Sequence, residues 1–114
     1  MDFRWFQPLH VKNISGKKAE KVIRRISQNH FEKNAWLIVL PFGEHNLFDI
    51  YPAYVFLQKE FPSYRADVIG LAKSRGHAVE LAAELVQEVY QATGGFDTRT
   101  YYRSKMQWTN CREA

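Results

Sequence analysis

The sequence has a single cysteine and no long hydrophobic run. One thiol, that of Cys111, cannot form a disulfide within the chain, which excludes a disulfide-stabilised scaffold and favours a reducing compartment. The longest apolar stretch, Ala35–Phe42, is far shorter than the roughly 20 residues of a membrane-spanning helix. The first residues also lack the basic and apolar regions of a secretory signal. The sequence therefore predicts a cytoplasmic protein without a membrane partner.

Motifs for catalysis, nucleotide binding and metal binding are missing as well. The histidines show no spacing typical of metal ligands; they are His10, His30, His45 and His77. His30 falls on the apolar side of a predicted helix, where we expect it to pack. An acid–base site formed by Glu44, His45 and His77 is left as an alternative, which requires that the loops carrying these residues converge. We therefore expect no metal and no cofactor, and the sequence favours a non-enzymatic protein.

Apolar and charged residues occur in the proportions of an ordinary globular domain. Of the 114 residues, 46% are hydrophobic and 25% are charged, which suits one domain over residues 1–114. The net charge of +4 is unevenly spread, with +5 over residues 1–33, −3 over 34–96 and +2 over 97–114. A basic excess at both ends is compatible with an anionic partner.

Two strand-then-helix units are predicted at the centre of the chain. The apolar runs Ala35–Pro41 and Arg65–Ala72 are typical of buried strands. A short helix over residues 51–60, or a strand over 54–57, follows the first run. An amphipathic helix over residues 77–93 follows the second, and Gly94 is expected to end it in a left-handed conformation.

The two ends of the chain are predicted to flank this centre. Residues 1–14 suggest an extended arm or an edge strand, because Pro8 disfavours a central strand. Ser15 is then expected to cap an amphipathic helix over residues 16–33. Residues 98–109 suggest an edge strand over 98–103 or a short helix capped by Asp97.

The predicted fold class is α/β or α+β. We expect a small two-layer sandwich with at least two central strands and two long amphipathic helices. It is either ferredoxin-like with an inserted helix or a minimal α/β layer. Residues 15–97 form its core, and residues 98–114 form an edge segment and tail.

The polar loops after the two central strands give a first candidate site. If the strands are parallel neighbours, both loops lie at one edge of the sheet, where open α/β sheets bind ligands. The second loop also opens a helix, whose N-terminus favours an anion. The anion-binding candidates are Lys73, Ser74, Arg75, His77 and His45. The alternative is that they are ordinary turn and capping residues.

A basic face on the first helix gives a second candidate site. Its members cluster opposite the apolar side and are Lys17, Lys18, Lys21, Arg24 and Arg25. Such a face suits a phosphate backbone, although solvated basic faces are also common. No known nucleic-acid recognition motif accompanies it.

Two further features favour a protein partner. Glutamates at i, i+4 and i+8 of the long helix form a stripe that is either solvated or meets a basic surface, such as the first helix of a second copy. Aromatic residues at both ends indicate ordered segments that pack on the sheet edge or form an interface. The interface candidates are Trp5, Phe6, Glu80, Glu84, Glu88, Tyr101, Tyr102 and Trp108.

One segment carries a resemblance. Residues 68–73, Val-Ile-Gly-Leu-Ala-Lys, with the following helix and Thr93–Asp97, resemble a set of small uncharacterised bacterial α/β proteins over about a third of the chain. The resemblance implies a compact bacterial α/β domain and adds no activity or site residue.

Together these patterns predict a small non-enzymatic protein-binding module. It would act as a regulator, adaptor or inhibitor of a larger protein, of a kind that phages and mobile elements also encode. The alternative is a nucleic-acid-binding protein that uses the basic face of helix 16–33. The second alternative is a small anion-binding or enzymatic α/β domain. A homodimer is left open.

Overall fold

A five-stranded mixed sheet forms the centre of the computed structural model, which describes residues 1–61, 65–105 and 107–110. The strands are β1 (Asp2–Lys12), β2 (Trp36–Val39), β3 (Asp49–Pro52), β4 (Arg65–Ala72) and β5 (Trp108–Thr109). The helices are α1 (Gly16–Ser27), α2 (Arg75–Thr93) and α3 (Thr98–Arg103), with a 3-10 turn over Ala53–Leu57. The strand order is β3-β2-β4-β1-β5, in which β1 and β4 are parallel and the other neighbours antiparallel. The fold is therefore α+β.

The first strand lies inside the sheet, between β4 and β5, and not at its edge. The sequence predicted an arm or an edge strand because of Pro8. The pairing of β1 with β4 is interrupted between Trp5 and His10, and Pro8 lies within this interruption. The missing N–H of the proline therefore breaks no hydrogen bond of that ladder.

The two central strands, β2 and β4, are neighbours but antiparallel, which corrects the prediction that they are parallel. Strand β3 pairs antiparallel to β2, and the chain then returns through the 3-10 turn before β4 begins. The sequence predicted a helix over residues 51–60 or a strand over 54–57 in this segment, and it did not indicate β3. As a result, the loop after β2 and the loop after β4 lie at opposite ends of the sheet.

Helices α1 and α2 cover opposite faces of the sheet. The side chains of β2 alternate, so that Leu37 and Val39 pack in the cluster that contains α1, and Ile38 and Leu40 pack in the cluster that contains α2. Burial on both faces explains why β2 and β4 read as continuous apolar runs. The two-layer, ferredoxin-like sandwich is therefore not confirmed.

Several predicted boundaries agree with the structure. Strand β4 spans Arg65–Ala72 as predicted, and α2 ends where Gly94 adopts a left-handed φ of 76°. For residues 98–103 the sequence allowed an edge strand or a short helix capped by Asp97, and the structure has the helix. The side chain of Asp97 accepts a hydrogen bond from the backbone N–H of Thr100 at 3.1 Å.

Helix α1 is shorter than predicted. It ends at Ser27, and Asn29 has a φ of 59°, which turns the chain out of the helix. His30 therefore lies beyond the helix and is exposed, contrary to the packed position that the sequence suggested. Cys111 lies outside the described residues.

Candidate functional site

The predicted anion-binding residues do not form one cluster. His45 follows β2, whereas Lys73, Ser74, Arg75 and His77 follow β4 at the opposite end of the sheet. The acid–base arrangement of Glu44, His45 and His77 is therefore not assembled.

The contacts around Ser74 are those of a helix cap. Ser74 Oγ accepts a hydrogen bond from the backbone N–H of His77 at 3.3 Å and lies 2.8 Å from its Nδ1. The other ring nitrogen of His77 contacts the side-chain amide of Asn13. The hydrogen bond from the backbone N–H of His77 satisfies one free donor in the first turn of α2, as an N-cap side chain does.

Most of the aromatic interface candidates are core residues. Trp5 is fully buried, and its indole N–H donates to Ser27 Oγ at 2.8 Å. The ring of Phe6 packs edge-on against those of Tyr102 and Trp108, with centroids 5.0 and 5.4 Å away. Tyr101 and Trp108 are half-buried. Packing within the domain therefore accounts for the aromatic ends of the chain.

Tyr102 links the aromatic core to the glutamate stripe. It is fully buried, and its hydroxyl donates to the carboxylate of Glu88 at 2.8 Å. Burial, and then the hydrogen bond and charge of Glu88, raise the pKa of Tyr102 well above its usual range.

The other two glutamates of the stripe pair with β1. Lys12 Nζ lies 2.6 Å from a carboxylate oxygen of Glu84 and 3.6 Å from one of Glu80. The hydrogen bond to Glu84 raises the pKa of Lys12. The acidic stripe thus has partners within its own chain, which leaves less of it to attract a separate basic surface.

The basic face of α1 is present and open to solvent. Its residues, which we call the basic helix surface, are Lys17, Lys18, Lys21, Arg24 and Arg25. Among the described residues, the three lysines and Arg24 form no ion pair, whereas Arg25 pairs with Glu32. A shallow depression of about 540 Å³ is lined by four of these cations, Val22 and Glu32.

An exposed aromatic pair adjoins this surface. Phe31 and Tyr54 stack with centroids 5.7 Å apart and 29° between their planes, and they are 58% and 41% exposed. Arg25 connects them to the helix, because its guanidinium donates to the carbonyl of Phe31 at 3.3 Å. The sequence did not indicate this pair: it predicted a short helix over residues 51–60 or a strand over 54–57 for Tyr54, and no role for Phe31.

A second basic site lies on the opposite face of the sheet, next to α3. We call it the arginine cluster: Arg4, Arg65, Arg99 and Arg103. Arg4 makes a bidentate contact with the carboxylate of Asp67, at 2.8 and 3.0 Å. Arg103 and Arg65 reach the same carboxylate at 3.0 and 3.4 Å. An open depression of about 530 Å³ is lined by three of these arginines, Asp67 and residues 40–42.

Asp67 is the centre of this cluster and is only 4% exposed. Burial alone would raise its pKa, but the hydrogen bonds from Arg4 and Arg103 outweigh burial and lower it. The carboxylate is therefore ionised at neutral pH. A lone acidic residue within the apolar run of β4 is the sequence signal that points to this cluster, because a buried charge requires partners.

Arg99 is held by backbone carbonyls at the edge of the same depression. Its guanidinium donates to Pro41 O at 2.8 Å and also to Gly43 O. The hydroxyl of Thr98 fixes α3 to the same loop by donating to Leu47 O at 2.6 Å. Asp49 closes the loop, because its carboxylate accepts from the backbone N–H of Phe42 at 2.9 Å. The arginine cluster is thus built on an ordered frame.

The described residues contain no group of three or more His, Cys, Asp or Glu side chains arranged to hold a metal ion. Within the same residues, no helix combines the length and apolar character needed to cross a bilayer.

Comparison of the chain with known protein families, with curated proteins and with solved structures finds no match, so the resemblance drawn from residues 68–73 and 93–97 stays a prediction.

Proposed function

We propose that the protein binds single-stranded nucleic acid through the basic helix surface and the adjoining aromatic pair. The observation that carries this proposal is their contact through Arg25, whose side chain lies in the basic depression and whose guanidinium holds the carbonyl of Phe31.

The charges suit a phosphate backbone. One face of α1 carries four exposed cations: Lys17, Lys18, Lys21 and Arg24. Within the described residues, none of them forms an ion pair. Counterions released from the nucleic acid by such cations drive binding without regard to base sequence.

The aromatic pair suits unpaired bases. Phe31 and Tyr54 are 58% and 41% exposed, so their rings offer a surface on which an unpaired base can stack. In a duplex the faces of the bases are already stacked on their neighbours and are not available. Stacking of this kind tolerates any base, so we expect weak sequence preference. A preference for single strands over duplex follows from the rings and not from the lysines.

The first experiment measures binding of labelled single-stranded DNA, RNA and duplex DNA at about 50 and about 200 mM salt. The variant K17Q/K18Q/K21Q should bind more weakly and flatten the salt dependence by about two units in the logarithmic slope, at roughly 0.7 for each lost contact. A matched control, K59Q/K73Q/R75Q, removes the same net charge from positions outside the basic helix surface and should bind like the unchanged protein. Equal losses in both triple variants, or no binding at about 50 mM salt, would contradict the proposal.

A second pair of variants separates stacking from charge. Tyr54→Ala should weaken binding of single strands roughly fivefold or more, with an unchanged salt slope, because it removes ring surface and no cation. Tyr90→Ala is the control, since Tyr90 belongs to another exposed stacked pair, with Phe96 at 5.1 Å, at the end of α2. An equal effect of the two substitutions would count against a specific role for Tyr54.

Protein binding, the function that the sequence favoured, stays a second proposal. Its remaining support is the pair Tyr90 and Phe96, which are 47% and 53% exposed beside the end of α2. Aromatic side chains of this kind are enriched at interfaces between proteins. Self-association gives the direct test: sedimentation at rising concentration should show a dimer that Tyr90→Ala abolishes. Nothing in the described residues favours a regulator, adaptor or inhibitor in particular.

A further inference from the structure

We propose that the arginine cluster binds a phosphate monoester as its dianion. Three guanidinium groups, from β1, the start of β4 and α3, meet at the carboxylate of Asp67. The fourth, that of Arg99 in α3, lies at the edge of the same open depression. This site lies on the α2 side of the sheet, opposite the basic helix surface, and is independent of the proposed nucleic-acid binding.

The charge of the cluster exceeds the neighbouring acidic charge. Asp67 compensates one of the four arginines. Asp97 lines an adjoining depression of about 620 Å³ together with Arg99 and Arg103. Hydrogen bonds from Thr100, and more weakly the charge of Arg99, lower the pKa of Asp97, so it is also ionised at neutral pH. A third aspartate, Asp2, lies opposite Arg65 in the pairing of β1 with β4. Four arginines against three aspartates still leave a net positive charge, which favours an anionic ligand.

The donor groups are all guanidinium groups, which present planar forks of N–H donors that match phosphate oxygens. Arg103 is 49% exposed and reaches Asp67 through Nη2 at 3.0 Å. A guanidinium has five N–H donors, so this contact is compatible with a further contact to a ligand.

The depression is larger than a phosphate group needs. Its volume of about 530 Å³ falls within the range of small-molecule sites, and Leu40, Pro41 and Phe42 give it an apolar part. An ester with a small organic group therefore fits better than inorganic phosphate alone. Since Asp49 and Thr98 already hold the surrounding loop, little ordering remains to oppose binding.

The test is calorimetric titration at neutral pH with adenosine monophosphate, inorganic phosphate and acetate. We expect saturable binding that decreases in this order. Arg103→Gln should lower the affinity for the monophosphate at least about tenfold, as expected for loss of a charged hydrogen bond. Arg75→Gln, at the start of α2, is the control and should leave the affinity unchanged. No saturable binding of the monophosphate, or an equal loss in Arg75→Gln, would overturn the proposal.

A measurement on the unchanged protein covers the case in which Arg103→Gln fails to fold. In a nuclear magnetic resonance titration with the same monophosphate, the side-chain Nε–H signals of Arg99 and Arg103 should shift. Shifts confined to residues 74–77 would place the anion at the start of α2 and refute the proposal.

Two sources of the ester are distinguished by oligonucleotides. A preference for a 5′-phosphorylated strand over its 5′-hydroxyl counterpart, lost in Arg103→Gln, assigns the ligand to nucleic-acid ends. Equal binding of both strands with retained binding of the mononucleotide assigns it to small phosphate esters. The variant K17Q/K18Q/K21Q should keep its affinity for the mononucleotide, so failure of either proposal leaves the other testable.

Discussion

Asp67 shows how one residue can join distant parts of this chain. Its carboxylate is 4% exposed within an otherwise apolar strand, and it is contacted by arginines from β1, β4 and α3. A buried carboxylate is stable only where such donors replace water.

Replacing Asp67 by Asn should therefore destabilise the fold at neutral pH. We expect a loss of about 1–3 kcal/mol in the free energy of unfolding, because three arginines lose their shared partner while staying a third to a half exposed to water. Urea unfolding at pH 7 measures this loss. Glu20→Gln, on the exposed side of α1, is the control and should change little.

The same residue predicts a pH dependence with a definite sign. The pKa of Asp67 is lowered in the folded state, so its stabilising effect is complete above the ordinary carboxylate pKa of about 4. The effect is lost as the pH falls from there through the lowered folded pKa. Between about pH 5 and about pH 2, the stability of Asp67→Asn should decline less steeply than that of the unchanged protein. Parallel declines would contradict this account.

At this scale the sequence allowed the basic face of α1 to be predicted, because helical spacing places its cations together. It did not allow the arginine cluster to be predicted. Arg4 and Asp67 lie 63 residues apart and meet through the register of two strands, which no local pattern encodes.

Among the helices, two serines at equivalent positions differ in what they do. Ser15 and Ser74 both precede a helix, as predicted, and both have extended backbones. The side chain of Ser74 accepts the hydrogen bond of a cap, whereas that of Ser15 makes none.

Removal of the hydroxyl of Ser74 should thus lower the stability of the protein more than removal of the hydroxyl of Ser15. Ser74→Ala should cost about 1 kcal/mol of stability, since it leaves a backbone N–H of α2 without its partner. Ser15→Ala should cost a few tenths of a kcal/mol at most. Thermal unfolding of the two variants measures the difference, and equal shifts in Tm would contradict the assignment of the cap.

At the level of secondary-structure elements, two predictions were wrong: the parallel direction of β4 relative to β2, and the helix over residues 51–60. Strands buried on both faces read as the same apolar run whether their neighbours are parallel or antiparallel. The short β3, Asp49–Pro52, carries no clear period and is followed by a 3-10 turn, which favoured a helical interpretation. The direction of β4 relative to β2, and hence the position of both loops, depended on this one strand.

As a whole, the molecule has two apolar clusters that share one sheet. Leu37 lies in the cluster under α1, and Leu85 lies in the cluster under α2. Because every central strand contributes side chains to both clusters, we expect neither cluster to unfold alone.

Leu37→Ala and Leu85→Ala should each lower the stability by about 2–5 kcal/mol. In each variant, urea transitions followed by circular dichroism and by tryptophan fluorescence should coincide. Leu57→Ala, at a site that is 39% exposed, is the control and should have a small effect. Separate transitions for the two probes would show that the clusters are independent.

The central position of β1 also has a consequence for the order of events during synthesis. The first strand of the chain finds its parallel partner only when residues 65–72 are available, and its antiparallel partner, β5, comes later still. Until then, Phe3, Trp5 and Phe6 have no sheet to enter. Contacts this distant in sequence slow folding and prolong the exposure of apolar side chains. The growing polypeptide thus carries these three aromatic side chains uncovered until residues 65–72 have been made, and a chaperone could bind them during this interval.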